Sequence, residues 1–280
     1  MRKLFLFLST GILLACNTKA SPPKYASEET KEVILKMIEA HGGMKKWKSM
    51  PSFSFENIMY SESLPGSPFW INEVYVDQKT RRVYQYWPLF NSSMAYDGEK
   101  TWSLDWRIGN TPKFDALFFY YFLNLPWITQ DDNVKLGEVK KIKHKAFKNE
   151  VYVIDMGFTE KPIIGKTQKD TYKLYIDSTT YLLMGYEYMI GYGAMLDLFN
   201  FPQEKELFGP MFRINDAFRE INGLTYPILM HTGNTEQTEN YGNHAIINIK
   251  TTEKFDESLL KMPERAVIDN SSHLRGNQKQ

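Results

Sequence analysis

Apolar and polar residues alternate with period two along most of the chain, the pattern of strands that bury one face. The alternation predicts strands at Phe53–Tyr60, Phe69–Val76, Arg81–Trp87, Met94–Tyr96, Thr101–Trp106, Val134–Lys143, Val151–Phe158, Tyr172–Asp177, Tyr181–Tyr188, Phe212–Ile221, Leu224–Met230 and Ala245–Thr252. Asp77-Gln78-Lys79-Thr80, Asp97-Gly98, Ser178-Thr179-Thr180 and Asn222-Gly223 place turn residues between neighbouring strands, so these pairs read as antiparallel hairpins. Both faces of Val151–Phe158 are largely apolar, which calls for cover on both sides. Trp102, Leu104 and Trp106 fall on one face of their strand.

Two stretches follow a helical period instead. Ser27 is suited to cap a helix reaching His41, with Val33, Ile34, Met37, Ile38 and His41 on one face and Gly42-Gly43 as the stop. Pro112–Trp127 is the greasiest segment after the N-terminus. Phe114, Leu117, Phe118, Tyr121 and Leu125 line one helical face, yet Phe119, Tyr120 and Leu123 make the segment apolar nearly all round, so it needs cover on more than one side. Thr111-Pro112 starts it and Asn124 with Pro126 ends it. At about 20 Å it is too short to span a bilayer. Gly191–Pro210 reads as a long insertion and Phe255–Leu260 as a helical turn. The fold expected is mainly β: one domain over residues 27–265, a large curved antiparallel sheet with helices packed in its concave face, followed by a polar tail at 266–280 that frays.

Residues 1–15 carry Arg2 and Lys3 before the apolar run Leu4–Leu14, an export signal rather than a span. Leu13-Leu14-Ala15-Cys16 resembles the lipobox of bacterial lipoproteins, which implies cleavage before Cys16 and acyl chains on its sulfur and amine. Cys16 is the sole cysteine, so internal disulfides and cysteine zinc clusters are excluded and its expected role is that of a membrane anchor. Residues 16–26, with Pro22-Pro23, have the composition of a tether. Asn17 follows the cysteine without an acidic cluster, which by resemblance to sorting signals points to the outer membrane, facing the periplasm. The net charge of +1, with no basic stripe beyond the alternating Lys135–Lys148, gives no support to nucleic-acid binding. Aromatic residues make up 15%, more than a core of this size uses, as in a groove or a membrane-facing surface.

Catalytic signatures are lacking. His41, His144, His231, His244 and His273 form no pair at metal-binding spacing, so no metal or cofactor is expected. Gly165-Lys166-Thr167 resembles the end of a phosphate-binding loop, but Glu160 stands where the first glycine belongs, and the segment reads as a turn. Asp97, Asp131, Asp132, Asp155 and Glu187 are scattered carboxylates suited to turns and strand edges.

Four segments in order, AHGGMKKW at 40–47, AYDGEKTWSL at 95–104, YKLYIDSTTYLL at 172–183 and INGLTYP at 221–227, together resemble the lipoprotein-carrier-like superfamily of the LolA, LolB and LppX type. The resemblance implies an unclosed half-barrel plugged by helices, with a hydrophobic cavity between them and no catalytic residues. It implies a non-catalytic, anchored binder of a lipid or lipidated protein, with Trp102, Trp106, Phe114, Leu117, Phe118, Tyr121, Phe122 and Trp127 as candidate lining residues. Two other classes stay open: an envelope protein-interaction, sensor or assembly factor, and a hydrolase whose site is assembled from distant residues.

Overall fold

In the computed structural model, which describes residues 21–62, 68–160 and 162–275, the alternating segments all join one sheet. The export signal and Cys16 lie outside the described residues. The chain begins with β1 (Lys24–Tyr25), α1 (Glu28–Ala40) and α2 (Met44–Lys48). A meander follows, β2 (Ser52–Tyr60), β3 (Phe69–Asp77), β4 (Val83–Trp87), β5 (Ser92–Tyr96) and β6 (Thr101–Leu104). Three short helices come next, α3 (Pro112–Asp115), α4 (Phe118–Leu123) and α5 (Leu125–Ile128). After them run β7 (Val134–Leu136), β8 (Lys140–Lys143), β9 (Glu150–Phe158), β10 (Thr171–Asp177) and β11 (Leu183–Ile190), then α6 (Gly193–Leu198). The chain closes with β12 (Phe208–Ile221), β13 (Leu224–Gly233), β14 (Asn240–Lys250) and β15 (Val267–Ile268).

The spatial order is β1-β7-β9-β10-β11-β12-β13-β14-β2-β3-β4-β5-β6-β15, with β8 as a further partner of β9. Pairing β14 with β2 fuses two meanders into one large, curved sheet that stays unclosed between β1 and β15. All pairings are antiparallel except β1 on β7. Register shifts in the β10–β11, β11–β12, β12–β13, β13–β14 and β14–β2 ladders supply the local bends that curvature needs. Asp77, Asp97 and Asp177 each fold their hairpin by accepting two backbone N–H groups from residues two and three ahead. Asn222 and Gly223 take φ of 50° and 71°, the left-handed pair of a two-residue hairpin.

One face of the sheet meets the helices in the main core. α1 buries Val33, Ile34, Met37 and Ile38, and Ser27 caps it by accepting from Thr30 N. The buried His41 then pins the helix end to the sheet: its Nδ1–H donates to Thr225 O (2.7 Å) while Nε2 accepts from Leu183 N (3.0 Å). The other face carries a second cluster, where Phe147, Val151, Tyr175, Phe212 and Ile214 pack together, so β9 is covered on both sides.

Three expectations are corrected. Pro112–Trp127 is three helices rather than one. The breaks fall at Ala116-Leu117, where Gln85 Nε2 donates to the carbonyls of Asp115 and Ala116 (2.8 Å each), and at Asn124, just ahead of Pro126. A straight helix apolar all round presents no single face to a concave sheet; three segments turn different sides to it. Trp102 and Trp106 do not share a face, because Asp105 at φ 49° ends β6. Trp102 packs on Tyr84 and donates to Leu260 O, under the segment around Glu257–Leu260, whereas Trp106 meets Trp87 edge to face at 4.9 Å. Residues 266–275 do not fray: β15 pairs with β6, Asp269 Oδ2 accepts from Lys113 N at the start of α3, and Arg275 holds Asp197 and the carbonyls of Phe201, Pro202 and Lys205. No helix among the described residues is long and apolar enough to cross a membrane.

Candidate functional site

Between the curved sheet and the broken helices lies a cavity of about 880 Å³, in the upper part of the roughly 300–1,000 Å³ range of small-molecule sites. β2–β4 contribute Asn57, Met59, Trp70, Asn72 and Trp87 to its wall. Tyr188, Ile190, Met211, Arg213, Thr232 and His244 come from β11–β14, and Ile108, Phe114, Asp115, Phe118 and Phe119 from the helical side. α6 and the turn after it form the rim with Met195, Leu198, Phe199, Phe201 and Lys205. Leu198 and Phe199 are about half exposed there, at 46% and 52%.

The wall has a polar end built from inward positions of five strands. Arg213 Nη2 donates to His244 Nε2 (3.3 Å), His244 Nδ1–H to Asn57 Oδ1 (3.1 Å), Asn57 to Asn72 (2.9 Å), and Asn72 to Gln85 (2.9 Å), which ends on the helix carbonyls. Every link donates in the same direction, and this fixes His244 as the neutral Nδ1–H tautomer. Burial, with the Arg213 charge beside it, holds the His244 imidazolium well below the usual histidine range. Asp115 lies at the far end of this series; Asn110 donates to its Oδ1 (3.1 Å), and Oδ2 has no partner. Burial pushes the Asp115 carboxyl up to about 7, the Asn110 bond opposing it.

A second buried cation lies behind the wall. Gly165, at φ 77°, lets the turn approach so closely that a Cβ there would come within 2.6 Å of Phe114 O and 2.7 Å of Lys113 O. Lys166 follows into the interior, with Nζ 4.9–5.7 Å from the ring centres of Phe118, Tyr121, Phe122 and Tyr172. Burial lowers its ammonium to about 8, against the pull of Asp170. Asp170 is itself buried and accepts from Thr167 and Gly191 N. The turn expected from the sequence is present; the burial of its lysine was not legible there.

Of the candidate lining residues, the structure places Phe114 and Phe118 on the cavity wall. Phe122 stands one layer behind, its ring 4.5 Å from the Arg213 guanidinium. Trp106 backs the wall through Trp87. Leu117, Tyr121 and Trp127 belong to the packed interior, Trp127 stacked on Trp47 at 5.9 Å. Trp102 lies on the opposite face. The polar positions went unread, although one signal was available: Asn57, Asn72 and Gln85 interrupt the inward apolar series Phe53-Phe55, Val74-Val76 and Val83-Trp87 at one place on each strand.

The scattered carboxylates stay apart. Asp97 folds its own turn, Asp131 forms a two-pronged pair with Arg81 (2.5 and 2.6 Å), and Glu187 accepts from Tyr175. His244 and Asp115 share the cavity but are separated by three amide side chains. Among the described residues no three His, Cys, Asp or Glu side chains gather as a metal site would require.

No protein-family model and no curated protein matches the chain. Solved structures match its shape. A LolA superfamily protein from Nitrosomonas europaea superposes with a TM-score of 0.51 at 9% identity, covering 83% of this chain and 98% of that one. A DUF1329 family protein from Desulfovibrio piger gives a TM-score of 0.51 at 11% identity, covering 83% and 97% respectively. The chain has a LolA-like fold.

Proposed function

We propose that the protein is a non-catalytic envelope lipoprotein that binds an amphiphile, a lipid or the acyl chains of a lipidated protein, in the cavity between the curved sheet and α3–α4. The observation that carries this reading is the cavity itself. A core needs no space of about 880 Å³, and interiors normally close such gaps because unfilled volume forfeits packing energy. Its wall is aromatic and aliphatic apart from one polar end, which suits a molecule with an apolar body and one polar head. The apolar rim at Leu198 and Phe199 gives an acyl chain a route of entry from a membrane or a carried lipoprotein. Acyl groups on Cys16 would hold the protein at the outer membrane, facing the periplasm.

Delipidated protein is expected to take up a fluorescent fatty-acyl probe saturably, with a co-purified lipid visible by native mass spectrometry before delipidation. Ile190→Trp and Thr232→Trp, each setting a ring into the cavity, should lower uptake at least tenfold. Absence of saturable uptake by the wild type sinks the reading. Cys16→Ser should move the protein from the membrane to the soluble fraction and abolish palmitate labelling; retention on the membrane sinks the anchor.

A further inference from the structure

Arg213 is a cation without a counter-charge. It is 2% exposed, and no acidic side chain among the described residues pairs with it. Its Nη2 is engaged with His244, but Nε and Nη1, which carry three of the five guanidinium N–H groups, have no partner. What surrounds the guanidinium is neutral: the polar series offers it His244 Nε2 and passes its own donors onward to Gln85 and the helix carbonyls, and the Tyr188 hydroxyl beside it in the wall carries no charge either. Phe122 covers one face of the guanidinium plane, which offers nothing to the N–H groups in that plane. Lys166, by contrast, has Asp170 as its electrostatic counterpart. A buried charge left this way is destabilising unless something supplies acceptors, and Arg213 is part of the cavity wall.

We infer that the ligand of this cavity is an anionic amphiphile, whose carboxylate or phosphate is held by Arg213 while its chain lies along Phe114, Phe118 and Ile190. This rests on the reading that the cavity binds an amphiphile. The series from His244 to Gln85 then orients the guanidinium, and Thr232, whose Oγ1 has no partner, is a second donor in the same wall. Oxyanion recognition by guanidinium uses two parallel N–H bonds on an edge that includes Nη2; Nη2 spends one of its two N–H groups on His244, and the other completes an edge with Nε or with Nη1, both without a partner.

Displacement of the acyl probe by three sixteen-carbon ligands tests this: hexadecanoate, hexadecan-1-ol and hexadecyltrimethylammonium. Wild-type protein should bind hexadecanoate about tenfold or more tighter than the alcohol, the worth of a charge-assisted hydrogen bond, and should bind the ammonium weakest. Arg213→Met should bring the acid-to-alcohol ratio close to one, and Arg213→Lys should keep part of it. A wild-type ratio near one overturns the inference whether or not Arg213→Met folds, as does a full ratio in Arg213→Met. Inorganic phosphate competing as well as hexadecanoate would make this a free-anion site and also overturn it. If the alcohol binds without acid preference, only this inference falls. If neither binds, the cavity reading falls with it.

Discussion

Asp115 and His41 carry opposite pH dependences, because burial favours the neutral form of each. Asp115, raised to about 7, keeps a proton in the folded protein that the unfolded chain releases above the ordinary carboxylate range. Its contribution to stability therefore falls as pH rises through that window and levels off above 7. His41 is lowered to about 4 by burial, against the Thr225 carbonyl that favours its proton. The unfolded chain binds that proton first, so this contribution is complete above the ordinary histidine range and is lost as pH falls towards 4. Asp115→Asn should remove the first dependence and leave the second. Unfolding free energies from urea titrations between pH 4 and 8 are expected to rise more steeply with pH in the variant, by up to about 1.4 kcal/mol per pH unit. Parallel profiles for variant and wild type would show that Asp115 is not held neutral. Neither residue advertises this in the sequence, where Asp115 is one position inside the apolar stretch Pro112–Trp127 and His41 the last of an amphipathic face; both acquire their properties from what packs over them.

At the scale of elements, three of the four segments that carried the family resemblance meet at one point. His41 of the first bonds Thr225 of the fourth and Leu183 of the third. Gly42 lies so close to the Asn222-Gly223 turn that a Cβ would sit 2.1 Å from Gly223 O, at a φ of 102°. Gly42→Ala should therefore destabilise by at least about 1–3 kcal/mol in chemical denaturation, and a neutral result would show that the helix end is not clamped to the hairpin. The segments are a docking joint, which explains why they predict the fold while saying nothing of the ligand. The aromatic segment was legible as helical and apolar on all sides, but its breaks depend on Gln85 and Trp47, which are distant in sequence. Asn124 joins α4 to α5, donating to Tyr120 O (2.9 Å) and accepting from Trp47 Nε1 (2.7 Å) in a fully buried position. Asn124→Ala strands the indole N–H and should cost about 1–3 kcal/mol, measured as a shift in the denaturation midpoint.

For the whole molecule, the two meanders form the trough, the helices floor it, and the C-terminal segment ties the rim. Asp269 caps α3, the His273 carbonyl accepts from Gly193 N, and Arg275 gathers the turn after α6, so one strap links both sides of the cavity mouth. Removing the chain after Arg265 should lower the melting temperature and speed release of a bound acyl probe several-fold in stopped-flow displacement. Unchanged release would mean that the strap does not govern the mouth.

Period-two alternation, Asp- and Asn-Gly-based turns and one capped amphipathic helix were enough to determine a mainly β chain with helices against a curved sheet, because these depend on neighbours a few residues apart. The cavity depended on something else. Whether Phe118 faces space and Trp127 a packed core, and whether Arg213 finds a carboxylate, is decided by strands whose residues are far apart in sequence. Asn57, Asn72, Gln85, Arg213 and His244 become one polar series only when β12, β14, β2, β3 and β4 present them on a common surface. Local pattern set the elements, and the curvature that brings distant strands together set the site.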